Sequence, residues 1–237
     1  MISGTTGLIG LLGQPVSHSL SPVMHNAALK AMAMDWRYLA LPCNADDLGS
    51  VLDGLKAVGC NGLNVTIPHK QAVASHCQEL SPLAKRLGAV NTLIPLSGGG
   101  WHGHNTDAEG FLAPLRDHAD TWAGCDAIVL GCGGSARAVV AGLQQLPLST
   151  IHVAGRRPDA LERFLNDLDE GNDGSVALSG IALETKSLAA RLSESKLVVN
   201  TTPVGMRGHG DNNAMPLGPH LWQELGPTTT LYDLIYT

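Results

Sequence analysis

Short apolar runs alternate with amphipathic stretches along the first half of the chain. The apolar runs predict strands, and the stretches with helical spacing of apolar residues predict helices. The predicted strands cover 7–13, 36–42, 60–68, 89–96 and 100–107, and the predicted helices cover 21–34 and 44–59. A Ser-Gly-Gly-Gly segment separates the last two strands and favours a hairpin there. Strands that alternate with helices indicate βαβ units and a mainly parallel sheet.

A second series with the same alternation follows residue 107. Strand–turn–helix patterns cover 125–146 and 149–168, a short strand is expected at 175–180, and further strands are expected within 195–206 and 228–236. We therefore predict an α/β protein with two domains, 1–107 and 108–237. The helix after residue 107 is expected to link them.

The composition narrows the class of protein. The chain has 237 residues, a net charge of −6, 44% hydrophobic residues and 15% charged residues, which suits a globular protein with a substantial core. Mild acidity without a basic block argues against a nucleic-acid partner. The apolar runs are too short to span a bilayer, and the N-terminus lacks the features of a signal or transit peptide. The expected location is the cytoplasm, or the plastid stroma in a eukaryote.

The chain has five scattered cysteines without a C-x-x-C pair, which indicates reduced thiols and no zinc site.

Gly131, Gly133 and Ala136 form a G-x-G-x-x-G/A frame between an apolar strand and a helix. That context predicts a Rossmann-like domain whose turn binds a dinucleotide pyrophosphate. The alternative is a structural turn without a ligand.

The end of the next strand bears on the choice of cofactor. NAD sites place an acidic residue there to bind the ribose 2′-hydroxyl. Here Gly155 is followed by Arg156 and Arg157, and the first acid is Asp159. Two guanidiniums suit a 2′-phosphate through charge-assisted hydrogen bonds, so the sequence favours NADP over NAD. The alternative is that both arginines are simply solvated.

Polar residues gather at the ends of several predicted strands in the first half. They are Asn64, Thr66, Lys70, Asn91, Asn105, Thr106 and Asp107. Ligands of open α/β sheets bind beyond such strand ends. Reduction of a ketone needs a proton donor, and the reverse reaction needs a base. Lys70 and Asp107 are the candidates for this proton transfer. Each residue alone would be assigned to a turn, a cap or solvent, but together they indicate a site for a polyhydroxylated small molecule.

These stretches together resemble the shikimate dehydrogenase family over essentially the whole chain. The motifs are "GQPVSHSLSPVMHNAAL", "GLNVTIPHK", "GAVNTL", "GHNTDAEGF", "GCGGSARA", "VVNTTPVGM" and "YDLIY". The resemblance implies a reversible, NADPH-dependent reduction of 3-dehydroshikimate to shikimate in aromatic amino-acid biosynthesis. It also implies a substrate-binding first domain, an NADP-binding second domain and an active site in the cleft between them.

The resemblance assigns roles to individual residues. Lys70 and Asp107 match the catalytic pair, and Ser19 and Ser21 match the serines that hold the substrate carboxylate, with Ser21 also expected as the N-cap of the first helix. The other implied substrate contacts are Asn64, Thr66, Asn91 and Tyr236. The implied cofactor contacts are Gly131, Gly133, Gly134, Ser135, Ala136, Arg156, Arg157, Thr201, Met206 and Leu234. No metal is implied, and the partner is a small molecule bound by a monomer or a homodimer.

Three departures from the family pattern qualify these expectations. Ala160 stands where the family often has a second arginine, so Arg157 is expected to replace it. His69 stands at a position that is often aromatic and is assigned no chemistry. The family continues beyond Thr237 with helices that return to the first domain, so we expect this chain to bind NADPH but to reduce the substrate poorly. The alternatives are a quinate/shikimate dehydrogenase that uses NAD, and a nucleotide-binding fragment with little activity.

Overall fold

The chain divides into two compact units, Met1–Thr106 and Asp107–Thr237. The computed structural model of the protein describes residues 2–169, 174–183, 185–206, 211 and 213–235. Strands alternate with helices in both units, so the predicted α/β class is confirmed. The boundary expected from the sequence, between residues 107 and 108, lies one residue from this division.

The first unit is built on a six-stranded mixed sheet. Its strands are β1 (Gly7–Gly13), β2 (Trp36–Pro42), β3 (Gly62–Val65), β4 (Glu79–Leu80), β5 (Thr92–Pro95) and β6 (Trp101–His104). Its helices are α1 (Ser21–Ala31), α2 (Leu48–Ala57) and α3 (Pro82–Leu87), with 3₁₀ turns at Ala45–Asp47 and Ala72–His76. The strand order is β2-β1-β3-β5-β6-β4, and only β5 runs against its neighbours. The sheet is therefore mainly parallel, as predicted.

The N-cap and the C-terminal end of α1 differ from the sequence prediction. Leu20 already has helical dihedral angles (φ −83°, ψ −7°), so Ser21 is the first helical residue and its side chain is not the N-cap. At the other end, Ala33 takes a left-handed conformation with φ +54°, and the helix stops at Ala31. Because this conformation is uncommon for alanine, nothing in the sequence signals the stop.

A short segment between β3 and β5 was not assigned from the sequence. It contains β4 and α3, which are too short for a periodic pattern. The caps of α3 are nevertheless visible in the sequence. The Ser81 hydroxyl accepts from Ala84 N at 3.2 Å, Pro82 begins the helix, and Gly88 ends it with φ +58°. A search for caps rather than for periodicity would have found this helix.

The two faces of the first sheet carry different packing. One face supports the larger core, where Leu12, Leu63 and Leu93 pack with residues of α2 such as Leu52. The opposite face packs against α1 through a smaller cluster that includes Leu29 and Tyr38. Strand alternation places Tyr38, Asn64 and Thr92 on this second face. Polar side chains from three strands therefore meet on one side of the sheet.

The second unit is a five-stranded, fully parallel sheet with helices between its strands. Its strands are β7 (Asp126–Leu130), β8 (Thr150–Gly155), β9 (Ala177–Ala182), β10 (Leu197–Asn200) and β11 (Thr230–Asp233). Its helices are α4 (Asp107–Arg116), α5 (Gly134–Leu143), α6 (Pro158–Asp169), α7 (Lys186–Glu194) and α8 (Pro219–Trp222), with a 3₁₀ turn at Ala119–Trp122. The strand order β11-β10-β7-β8-β9 gives the predicted Rossmann-like topology.

The strand order of the second unit marks one position on its edge. The chain moves outward from β7 to β8 and β9, then returns to place β10 on the other side of β7. Ligands of such sheets bind beyond the carboxyl ends of the strands where the order reverses, here between β7 and β10. Across the residues that the structure describes, every helix is too short or too polar to cross a lipid bilayer.

Candidate active site

The carboxyl edge of the first sheet gathers most of the predicted substrate residues. β1, β3 and β6 end there, and β5 begins there because it runs in the opposite direction. The residues at this edge are Ser19, Ser21, Asn64, Thr66, Lys70, Asn91, Asn105 and Thr106. All belong to the first unit, so its sheet alone brings them to one edge.

Asn91 ties the end of β6 to the start of β5. Its side-chain Oδ1 accepts from the backbone N–H of Thr106 at 3.0 Å, and its Nδ2 donates to the Thr106 hydroxyl at 3.0 Å. The Thr92 hydroxyl also donates to Asn91 Oδ1, at 2.9 Å. Asn91 is 8% exposed, so these hydrogen bonds lie largely out of water. They fix the backbone of the residue that immediately precedes Asp107.

A buried hydrogen bond from His69 anchors the turn that carries Lys70. The His69 ring is 1% exposed, and its Nε2 lies 2.7 Å from the carbonyl oxygen of Cys43, a distance at which the ring donates a proton. The carbonyl of Lys70 accepts from Val90 N at 2.7 Å. Both contacts leave the Lys70 side chain partly exposed at the sheet edge. His69 thus has a structural role in this turn.

Ser19 and Ser21 lie at the start of α1. The Ser19 hydroxyl accepts from the backbone N–H of Ser21 at 3.2 Å, so it satisfies one N–H group at the start of the helix. Both serines are half-buried. Hydroxyl donors beside free N–H groups at a helix start form a suitable environment for a carboxylate.

Asn64 contacts a residue that the sequence reasoning missed. The Tyr38 hydroxyl donates to Asn64 Oδ1 at 2.8 Å, while Asn64 Nδ2 lies 3.4 Å from both the Asn91 carbonyl and the Thr92 hydroxyl. Burial raises the pKa of Tyr38 to about 12, and hydrogen bonding with Ser21 opposes that rise. The available signal was an aromatic residue with a polar tip at an inward-facing strand position.

The glycine turn of the second unit lies at the reversal of strand order. Gly131 has φ +104°, and a Cβ built on it would come within 2.8 Å of Thr201 Oγ1, so both conformation and space require glycine. A Cβ on Gly133 or Gly134 would instead meet nothing within 4 Å. That open cradle faces the N-terminus of α5, where free N–H groups and the helix dipole favour an anion. The turn therefore fits a dinucleotide pyrophosphate.

The remaining predicted cofactor residues surround this turn. Arg156 and Arg157 are exposed just beyond the end of β8. Thr201 follows β10, and its hydroxyl donates to the Leu130 carbonyl at 2.7 Å, which braces Gly131. Met206 N donates to the carbonyl of Pro203 in the next turn, and Leu234 N donates to the carbonyl of Asn200. Ser135 is exposed and Ala136 is buried in the first turn of α5.

Tyr236 lies outside the described residues. Within the described ranges, no group of three or more His, Cys, Asp or Glu side chains is arranged to hold a metal ion.

Comparisons with known proteins agree with this architecture. Residues 11–93 match the family described as the shikimate dehydrogenase substrate binding domain. The chain is 47% identical over 236 residues to a Synechocystis sp. protein named shikimate dehydrogenase (NADP(+)), with coverage of 100% of this chain and 79% of the relative.

Solved structures of similar fold carry ligands. Shikimate 5-dehydrogenase from Thermus thermophilus, in complex with NADP(H) and shikimate, is 33% identical, with a TM-score of 0.81 over 97% of this chain and 79% of that one. The enzyme from Listeria monocytogenes, in complex with shikimate and NAD, is 29% identical, with a TM-score of 0.87 over 99% of this chain and 80% of that one. Because strong identity extends over the whole chain, the protein belongs to the shikimate dehydrogenase family.

Proposed function

We propose that this protein catalyses the reversible, NADPH-dependent reduction of 3-dehydroshikimate to shikimate. The observation that carries the proposal is the hydrogen-bonded edge of the first sheet in a chain of this family. There the Lys70 carbonyl accepts from Val90 N, and the side chain of the next residue, Asn91, bonds Thr106. An edge rich in amide and hydroxyl groups suits a polyhydroxylated acid.

The acid–base work is assigned to Lys70 and Asp107. When NADPH is bound, it supplies the hydride that reduces the substrate carbonyl. The Lys70 ammonium donates a proton to the carbonyl oxygen as negative charge develops there. In the oxidation direction, Lys70, as the neutral amine, removes the proton of the substrate hydroxyl, and the negative charge of the Asp107 carboxylate favours the ammonium that forms.

The binding work is assigned to the other residues of the first-unit edge. At the start of α1, the hydroxyl groups of Ser19 and Ser21 donate hydrogen bonds to the substrate carboxylate. Asn64, Thr66 and Asn91 bind the ring hydroxyls. Asn91 holds three hydrogen bonds to Thr92 and Thr106, so its side chain is already ordered before a substrate arrives. Such preorganisation lowers the entropic cost of binding.

The cofactor is assigned to the second unit. The open cradle at Gly133 and Gly134 takes the pyrophosphate, and Arg156 with Arg157 takes the 2′-phosphate that distinguishes NADP from NAD. Exposed guanidiniums at the end of β8, with no acid before Asp159, support this preference. The Synechocystis relative carries the same cofactor in its name.

A spectrophotometric assay tests the proposal. The purified chain is mixed with shikimate and NADP⁺, and the absorbance of the reduced nicotinamide is followed. Parallel reactions contain quinate in place of shikimate, or NAD⁺ in place of NADP⁺. Faster turnover with shikimate and NADP⁺ than with any other pair supports the proposal. A preference for NAD⁺ would favour the quinate/shikimate alternative, and NADPH binding without any turnover would favour the nucleotide-binding fragment.

A further inference from the structure

Tyr38 lies behind a proposed substrate residue and has no assigned role in the reaction. We propose that Tyr38 is a positioning residue that orients the side-chain amide of Asn64, so that Asn64 presents its NH₂ group to a substrate hydroxyl. The proposal rests on the proposed function, because that function places Asn64 in the substrate site.

The contact between the two side chains has a defined direction. The Tyr38 hydroxyl lies 2.8 Å from Asn64 Oδ1 and donates to it. The nitrogen of the same amide lies 3.4 Å from the Asn91 carbonyl and 3.4 Å from the Thr92 hydroxyl. Both of these distances are at the long limit of hydrogen bonding, so a ligand oxygen can compete for the NH₂ protons. The amide oxygen is thus bound tightly and the nitrogen weakly.

Contacts hold both the ring and the backbone of Tyr38. Its ring stacks on the imidazole of His25 with centroids 4.3 Å apart and planes 9° apart. The Asn26 side chain accepts from Tyr38 N at 3.0 Å and donates to the Tyr38 carbonyl at 2.8 Å. Tyr38 is 2% exposed. The hydroxyl therefore stays at a fixed position relative to β3.

The protonation state of the phenol reinforces this direction. Burial raises the pKa of Tyr38 to about 12, so the hydroxyl keeps its proton at every pH at which the protein would work. It therefore always has a proton to donate to Asn64 Oδ1. An Asn amide without such a donor can rotate and exchange its oxygen and nitrogen at little cost. With the donor in place, the orientation is selected by one buried hydrogen bond.

A double-mutant cycle tests whether Tyr38 acts through Asn64. Tyr38→Phe, Asn64→Ala and the double variant are assayed with shikimate and NADP⁺. Tyr38→Phe is expected to raise KM for shikimate by roughly 2- to 10-fold, the range of one net hydrogen bond, with little change in kcat or in KM for NADP⁺. In the Asn64→Ala background the same substitution should have no further effect on KM. Tyr232→Phe removes a phenol hydroxyl from the second unit and serves as the control.

A second measurement does not need turnover. In the ¹⁵N-labelled protein, the side-chain amide signals of Asn64 are those that disappear in Asn64→Ala. Tyr38→Phe should shift or broaden these signals, and Tyr232→Phe should leave them unchanged. Unchanged Asn64 signals in Tyr38→Phe, or a KM effect that persists in the Asn64→Ala background, would overturn the proposal. A parent chain without shikimate activity would instead overturn the proposed function, and the amide signals would still decide the role of Tyr38.

Discussion

At the residue scale, the polar side chains of the first unit are placed by hydrogen bonds to specific partners. His69 is held by the Cys43 carbonyl, Asn91 by Thr106, and Asn64 by Tyr38. Each contact removes conformations that a free side chain would sample, and each satisfies a group that would be costly to bury alone. The chemistry assigned to Lys70 depends on these ordered neighbouring side chains, because acid–base catalysis requires a proton donor at a fixed position.

The role of Lys70 can be tested by removing its amine. Lys70→Ala should lower kcat by roughly 10²- to 10⁴-fold, the usual contribution of a positioned acid–base group. The dissociation constant for NADPH, measured by fluorescence titration, should stay close to that of the parent. Lys85→Ala, which removes an exposed lysine from α3, is the control and should leave both values nearly unchanged. Turnover of Lys70→Ala within a few-fold of the parent would refute the assignment.

The two arginines after β8 can be tested through cofactor preference. Replacing both Arg156 and Arg157 with alanine should weaken NADPH binding by at least roughly 10-fold, because charge-assisted hydrogen bonds to the 2′-phosphate are lost. NADH binding should change little, since NADH has no phosphate at that position. Arg163→Ala, an exposed position on α6, is the matched control. Equal losses for both cofactors would mean that the arginines contribute only a general positive field.

At the element scale, the turn between β7 and α5 contains two glycines with different roles. One is required by the backbone, and the other leaves room for a ligand. Gly131 needs its positive φ and faces Thr201 Oγ1, whereas the space next to Gly133 is open. The parallel sheet creates this difference, because β10 lies beside β7 and brings Thr201 against the first glycine. The sequence motif does not distinguish the two glycines. The position of Thr201 beside Gly131 does distinguish them.

Two alanine substitutions should therefore behave differently. Gly133→Ala should leave the thermal midpoint close to that of the parent, but should weaken NADPH binding, because the added methyl occupies the space that the pyrophosphate needs. Gly131→Ala should lower both the midpoint and the NADPH affinity, since its backbone conformation is strained and its methyl meets Thr201. Thermal unfolding and NADPH titration measure the two effects. A parent-like NADPH affinity for Gly133→Ala would place the pyrophosphate elsewhere.

At the scale of the whole molecule, each unit has its own sheet and its own buried cluster. Burial of ionisable groups in the first unit links its stability to pH. Burial raises the pKa of Tyr38 to about 12 from 10.0, and burial also raises the pKa of the Cys60 thiol above 9.0. The folded chain therefore keeps protons that the unfolded chain releases.

This linkage predicts a loss of stability at alkaline pH. A raised pKa in the folded state stabilises fully below the unfolded value and loses that contribution as pH rises toward the folded value. The free energy of unfolding should thus fall from about pH 9, where the unfolded thiol ionises, and fall further above about pH 10 as the unfolded phenol ionises. Urea unfolding with a reductant present, repeated across this range, measures the slope. Tyr38→Phe should flatten the part above about pH 10, and an unchanged slope would contradict the burial argument.

Much of the fold could be predicted from the sequence. The strand 7–13, the strand 36–42 and the glycine turn were found at their observed positions, because apolar runs and glycine act locally. The C-terminal end of α1 was misplaced, and the short elements β4 and α3 and the helices α7 and α8 were not found. Short elements are stabilised by their neighbours rather than by their own periodicity, so they leave a weak local pattern.

The sequence by itself determined the α/β class, the order of the elements, the family and the residue types available for chemistry. These properties depend on hydrophobic periodicity, on turn residues and on motif order, which can all be identified in the amino-acid sequence. Only the tertiary structure decided that Tyr38 bonds Asn64, that Thr201 lies against Gly131 and that Asn91 holds Thr106. These contacts join residues on different strands, and strand order with register, which no local pattern encodes, determines which side chains meet.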